Sequence, residues 1–220
     1  MRVFVAGGSA VLGLRLVPQP VARGHQVTAT TSAARLGLLQ GLGADGVVMD
    51  GLDAASVGEA VAQARPDTIV HQMTAIAGKP DMKHMERWFA TTNRLRTEGT
   101  DHLPAVADAT GVSHVVAQGD ANRNGIREGG WVKTEEDPLD SMAGTSAAPG
   151  MEAIRHVEER VVGAGGAMRV PVRPARLPAG EAAVVMMTEG RAFSNAEAKR
   201  QLGRELRYPS WRQGFEKEPA

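Results

Sequence analysis

Apolar and polar residues alternate along this chain in short blocks whose period switches in a regular order. Arg2 to Ala6 is a brief β-branched, apolar run of the kind buried in a parallel sheet. From Val11 to Arg23 the spacing turns helical, with Leu12, Leu16 and Val17 on one side. Pro18 and Pro20 predict a kink or shortening there, and Gly24 suits the C-terminal cap. The pattern then recurs. His25 to Thr30 reads as a second strand, Leu36 to Ala44 as a short helix and Val47 to Met49 as a third strand. Asp53 can cap a helix to Ala64, which Pro66-Asp67 breaks. Thr68 to Met73 follows as a fourth strand, Lys83 to Thr110 as a long helix disturbed by Gly99 and Pro104, and Val112 to Gln118 as a fifth strand.

Five strands alternating with helices predict an α/β fold, a Rossmann-like doubly wound parallel sheet with crossovers on both faces. The second half is less regular. Gly119 to Gly150 is rich in Gly, Asn, Asp, Ser and Pro, whereas Met151 to Val162 recovers helical spacing through Met151, Ile154, Val157 and Val161. Ala167 to Val172 offers a sixth strand that Pro171 confines to an edge or a strand end. Residues 173–181 read as a linker. Ser194 and Glu197 form a capping box for a short helix to Leu202, ended by Gly203, and Tyr208, Trp211 and Phe215 are expected to dock this helical tail.

The junction of the first strand and helix carries the candidate chemistry. Gly7 and Gly8 follow the strand at once, and Gly13 lies six residues after Gly7. Glycines let backbone approach a pyrophosphate, and a helix start offers free N–H groups. Gly7, Gly8, Ser9, Ala10, Val11, Leu12 and Gly13 are therefore the expected phosphate cradle of a dinucleotide. A tight turn that binds nothing is the alternative. An acidic residue after the second strand would accept from the adenosine ribose of NAD. This chain has Thr31, Ser32 and Arg35 there instead, which tilts the expectation from NAD towards NADP; Arg35 reads equally well as a solvated surface charge. Asp50 and Gly51 fall where the adenine would lie, and Met73 and Thr74 on the nicotinamide side. His71, inside the fourth strand, fits a packed core histidine better than a catalytic one. The expected division is a dinucleotide-binding domain over residues 1–172, with linker and tail over 173–220.

Composition narrows the partners. Formal net charge is zero over 220 residues and the basic residues are scattered, which argues against nucleic acid or an anionic membrane. No apolar run reaches membrane-spanning length. The basic residue before an apolar start could suggest export, but the glycines interrupt that run and no small-residue cleavage site follows cleanly, so cytoplasm is the expectation. With no cysteine there is no disulfide or thiolate ligand, and the dispersed histidines give no metal-ligand spacing. The acids Glu135 to Asp137 and Glu158-Glu159 read as solvated faces. A homodimer is admitted by the sequence but not required.

These pieces resemble the extended and atypical short-chain dehydrogenase/reductases, the NAD-dependent epimerase/dehydratase group. The matching segments are GGSAVLG, ARGHQVTATT, VVMDGLD, PDTIVHQMTA, RTEGTDHL, EERVVGAGG and, in the tail, AEAKRQLGRELRYPSWRQGF. The resemblance implies an NAD(P)-dependent oxidoreductase or epimerase/dehydratase acting on a small carbonyl or hydroxyl, sugar-like substrate. The departures matter as much. The glycine expected at position 10 is Ala10. The hydroxyl expected after the fifth strand is missing around Gln118, Gly119 and Asp120. Where the group has Tyr-x-x-x-Lys, an alignment on Glu159 puts Met151 and Arg155, and the single tyrosine is Tyr208. Methionine cannot move a proton, and arginine cannot act as a base, although it could hold a ribose or phosphate. No catalytic residue is thereby assigned. The short interval between the sixth strand and the tail further implies a reduced substrate lobe. An enzyme, a non-catalytic dinucleotide sensor and a degenerate relative without cofactor all stay open.

Overall fold

The computed structural model describes residues 1–77, 81, 84–119, 130–134, 136–137, 143–163, 169–171, 192–194, 196, 199–200 and 203. The chain divides into two compact units, residues 1–120 with 141–173, and residues 121–140 with 174–220.

The first unit is built on a six-stranded parallel sheet. Its strands are β1 (Arg2–Ala6), β2 (Gln26–Thr31), β3 (Asp45–Val48), β4 (Thr68–His71), β5 (His114–Gly119) and, beyond a further short strand of the second unit, β7 (Arg169–Pro171). The order across the sheet is β3-β2-β1-β4-β5-β7. Each connection inside that order passes through helix, because parallel neighbours need a crossover. The direction of winding reverses between β1 and β4, so the carboxyl ends of those strands open a crevice.

Both sheet faces are covered. On one, Phe4, Ile69, Val115 and Ala117 meet Val57 and Val61 of α4 (Ala54–Ala64), Leu103 and Ala107 of α5 (Met85–Thr110), and Val157 and Val161 of α6 (Ala148–Gly163). On the other, Val5, Val27 and Ala29 pack with Val17 and with Leu39 of α3 (Leu36–Gly41). Burying each such aliphatic side chain contributes about 1.5–3 kcal/mol, which is how a chain this poor in aromatics still fills its core.

The element boundaries show local physics at work. The first helix breaks at Val17 into α1 (Val11–Leu16) and α2 (Pro18–Ala22), as the prolines predict, and Gly24 follows in the left-handed region. Asp53 caps α4 by accepting from the Ala55 amide at 2.9 Å, and Arg65 ends it with φ +45° just before Pro66. β4 stops at His71, two residues short of the expected end. The Met73 amide turns away from the ladder and donates to the His71 ring at 3.2 Å. α5 runs through both Gly99 and Pro104 without a break. Gly99 is buried and packs closely on Gly51, whose carbonyl oxygen would stand 3.0 Å from a β-carbon placed there. α6 starts at Ala148, earlier than its apolar spacing suggests, since Pro149 falls in the first turn where no amide is needed. β7 ends on Pro171 at the sheet edge, the position a proline tolerates.

In the second unit, β6 (Val132–Lys133) pairs in parallel with β8 (Ala192–Phe193), and the Ser194 amide donates to the Lys133 carbonyl at 2.7 Å. The first segment lies in the stretch that reads as irregular and the second in one to which the sequence assigns no element; two residues are too few to carry a period. Asp137 does not sit on a simply solvated face. It accepts from the Thr134 amide at 2.7 Å and lies 3.5 Å from the buried Lys133 ammonium. The Thr134 amide, with the Thr134 hydroxyl and Lys133, holds the Asp137 carboxyl below its usual range. In the tail, Ser194 Oγ accepts from the Ala196 amide at 3.2 Å. Glu197, Tyr208, Trp211 and Phe215 lie outside the described residues.

Candidate functional site

β1 delivers the chain into Gly7, whose φ of +94° strains any residue with a β-carbon. Thr30 then fixes the turn twice: its Oγ1 accepts from the Gly7 amide at 2.9 Å and its carbonyl accepts from the Gly8 amide at 3.0 Å. Each glycine is forced by its neighbours. A β-carbon on Gly7 would stand 2.6 Å from the Gln72 carbonyl oxygen and one on Gly8 would stand 2.6 Å from Ala29 Cβ. One on Gly13 would run into the Gly8 carbonyl. Bare backbone is thus pressed against β2, β4 and the start of α1. Ala10 differs from these three. Its φ of −81° and ψ of 170° are ordinary extended values, so its methyl costs the backbone nothing. Val11 is exposed, and Leu12 is half-buried.

The residues after β2 fold back onto this turn. Thr31 Oγ1 donates to Ser9 Oγ at 2.6 Å, and Arg35 Nη1 donates to the Ser9 carbonyl at 3.1 Å. Ser32 is exposed and opens a short turn in which its carbonyl accepts from the Arg35 amide at 2.9 Å. Arg35 is therefore anchored at the glycine turn, with its remaining donors at the surface.

Asp50 and Gly51 follow β3. Asp50 Oδ1 accepts from the Leu52 amide at 2.9 Å, while the Asp50 amide donates to Ser56 Oγ at 3.0 Å. Gly51 is backed by Met73 and Leu95 so closely that a β-carbon would collide with the Met73 sulfur. Met73, only 7% exposed, joins the core there. The structure thus gathers Gly7, Gly8, Ser9 and Gly13 with Thr31 and Arg35, and separately sets Gly51 against Met73.

His71 is a core residue. Its Nε2 lies 2.9 Å from the buried Thr100 hydroxyl, and its Nδ1 accepts from the Met73 amide. Burial, reinforced by the positive charge of Arg96, pushes its pKa down to about 4. A neutral imidazole with both nitrogens engaged is held for packing, not for proton transfer.

Beyond His71 the carboxyl ends of β4 and β5 enclose a small cavity of about 20 Å³, lined by Gln72, Thr74, Arg96 and Gln118 together with His71, Met73 and Val157. Sequence reasoning passed over Gln72 and Arg96. The available signal was a polar amide at the end of an otherwise apolar strand, TIVHQM.

Of the positions matched to Tyr-x-x-x-Lys, Met151 is part-buried and Arg155 stands at the surface. Arg155 is half-exposed, lies 3.7 Å from Glu159 Oε1, and lines a cleft of about 390 Å³ between α5 and α6 with Asn93 and Arg94. The side of α6 turned to the sheet carries Ile154, Val157, Glu158 and Val161. Glu158 is therefore buried, against its reading as part of a solvated face. A β-carbon on Gly119 would stand 2.9 Å from Glu158 Oε1, so the carboxylate fills the space beside the strand end where a side chain would project. Among the described residues no cluster of His, Cys, Asp or Glu could hold a metal, and no helix is long and apolar enough to cross a membrane.

Comparison with known proteins bears on this geometry. No family model matches the chain. A 3-diazoavenalumate denitrifying reductase from a Streptomyces species is 45% identical over 119 residues, which is 54% of this chain and 37% of that protein. The Bordetella bronchiseptica enzyme WbmG, solved with NAD and UDP, matches 78% of this chain and 52% of its own at a TM-score of 0.59 and 19% identity. A UDP-glucose 4-epimerase from Thermotoga maritima, solved with UDP-glucose, matches 85% of this chain and 61% of its own at a TM-score of 0.61 and 16% identity. The chain spans about a third of the length of the reductase and little more than half of these structures. The fold expected from the glycine turn and the strand rhythm, a Rossmann-like parallel sheet, is the fold this chain shares with these solved enzymes.

Proposed function

We propose that this chain is an NAD(P)-dependent oxidoreductase or epimerase-like protein of the atypical short-chain dehydrogenase/reductase type, binding its dinucleotide across the carboxyl ends of β1, β2 and β4. One observation carries the reading. Gly7, Gly8 and Gly13 each lack room for a β-carbon, so a cradle of bare backbone stands at the crevice of the fold. The residues present fit a dinucleotide: this turn would hold the pyrophosphate, Arg35 and Ser32 the adenosine ribose, and Met73 and Thr74 the pyridine side. Such a cofactor supplies hydride chemistry when bound. The 45%-identical stretch shared with a reductase supports a redox role. The choice of NADP rests on Arg35, whose anchoring at Ser9 leaves cationic donors beside the ribose position, with no carboxylate between Thr31 and Arg35 to oppose a 2′-phosphate. A small carbonyl or hydroxyl compound, sugar-like in its polarity, is the proposed substrate class.

A second reading is favoured by one specific observation. Gly119 brings no hydroxyl, Met151 no phenol, and the Glu158 carboxylate occupies the space beside the strand end. A chain with the cradle but without the proton-handling pair would bind a dinucleotide without turnover. Single-turnover mixing of the full chain and reduced dinucleotide with a panel of carbonyl compounds, followed at the nicotinamide absorbance, separates the two. Oxidation with any carbonyl supports the enzyme, and an unchanged absorbance across the panel with saturating cofactor supports the sensor.

A further inference from the structure

Gln72 and Gln118 are the least explained polar groups in the fold. Their side-chain oxygens are sealed from solvent and have no hydrogen-bond partner among the described residues. Buried polar atoms are normally satisfied, so two together ask for a ligand. The sheet register explains why they stand together. His71 is paired with Ala117, so one residue further on Gln72 and Gln118 lie side by side at the carboxyl ends of adjacent parallel strands, roughly 4.8 Å apart. Arg96 and Thr74 complete the lining of the same cavity. His71 adds nothing to it, since both ring nitrogens are engaged elsewhere.

The geometry points to a binding site for a primary carboxamide at this place, made by Gln72 and Gln118 with Arg96 beside them: the amide on the pyridine ring of a nicotinamide dinucleotide. Two features select that chemistry. The cavity, about 20 Å³, admits the tip of a group and not a whole ring. A carboxamide both donates and accepts, so it matches glutamine amides whichever way their oxygen and nitrogen are turned. The location agrees as well, because the Gln72 carbonyl abuts Gly7 of the phosphate turn, and in a doubly wound sheet the second half of a dinucleotide crosses to the β4–β5 side.

This inference rests on the dinucleotide reading above, and the test separates their failures. Calorimetry on the full chain would compare three probes: the nicotinamide dinucleotide, its 3-acetylpyridine analogue with a methyl ketone in place of the amide, and ADP-ribose, which lacks the ring. The expected result is that the amide form binds the wild-type chain about tenfold tighter than the acetyl form, the worth of roughly one good hydrogen bond. Gln72→Leu and Gln118→Leu should each reduce that ratio towards one while leaving ADP-ribose affinity within about twofold. The ADP-ribose titration also certifies that each variant is folded. Equal wild-type affinity for the amide and acetyl forms, with ADP-ribose bound, overturns the carboxamide site alone. A ratio unchanged in both variants does the same. Failure of the wild-type chain to bind any of the three overturns the dinucleotide reading and this site with it.

Discussion

Thr30 holds Gly7 and Gly8 at once, the first through its hydroxyl at 2.9 Å and the second through its carbonyl at 3.0 Å. The end of β2 thereby sets the shape of the turn that leaves β1. A β-branched residue at this place is expected in any strand; a hydroxyl there has a second purpose.

Thr30→Val keeps the shape of the side chain and removes the acceptor. The Gly7 amide is then left part-buried without its partner, a loss of about 1–2 kcal/mol in stability. Urea unfolding of the variant should show that shift in midpoint with an unchanged slope. Its dinucleotide affinity should fall as well, since the turn loses its anchor.

Gly7→Ala and Ala10→Ser should act in opposite directions. The first places a methyl against the Gln72 carbonyl at φ +94° and should cost roughly 2–4 kcal/mol, strain and overlap together. The second adds a capping hydroxyl to α1, whose first residue follows Ala10 with no side-chain cap, and should gain about 0.5–1 kcal/mol. Thermal melts of the two variants beside the wild type test both signs.

His71 makes stability depend on acidity in a defined window. In the unfolded chain it takes a proton near 6.5, while in the fold burial and then Arg96 push that value down to about 4. The unfolded state therefore binds more protons between those limits. Stability should be at its plateau, for this group, above pH 6.5 and should fall by about 3 kcal/mol as pH drops towards 4. Urea unfolding at several pH values measures the slope, and His71→Gln, which cannot titrate, should flatten it.

Arg35→Ala should discriminate between the two dinucleotides. If the guanidinium tied to Ser9 recognises a 2′-phosphate, the variant loses about tenfold or more in NADP affinity, equivalent to one charge-assisted contact, and little in NAD affinity. Parallel titrations of both forms give the ratio.

Much of this fold was legible because its signals are local and repeated. Strand runs of β-branched residues, Asp53 as a cap and Pro66 as a stop need only near neighbours to act, and the structure places them within a few residues of their expected positions. The strand ends were less legible. β4 stops early through the Met73 amide turning to a histidine nitrogen, an event with no period in the sequence. The β6–β8 pair joins segments about sixty residues apart, with two residues on each side. Glu158 read as a surface acid because Glu159 beside it is one, yet a rotation of one residue around α6 turns it to Gly119. Gln72 lay in plain view, but only the register with β5 reveals that it stands beside Gln118.

The most direct test of the account is calorimetric titration of the full chain with reduced and oxidised NADP and NAD. Saturable binding at one site per chain, tighter for the NADP forms and abolished in Gly8→Val, is the predicted result. No heat with any of the four, from a chain shown by its circular dichroism to be folded, would contradict it.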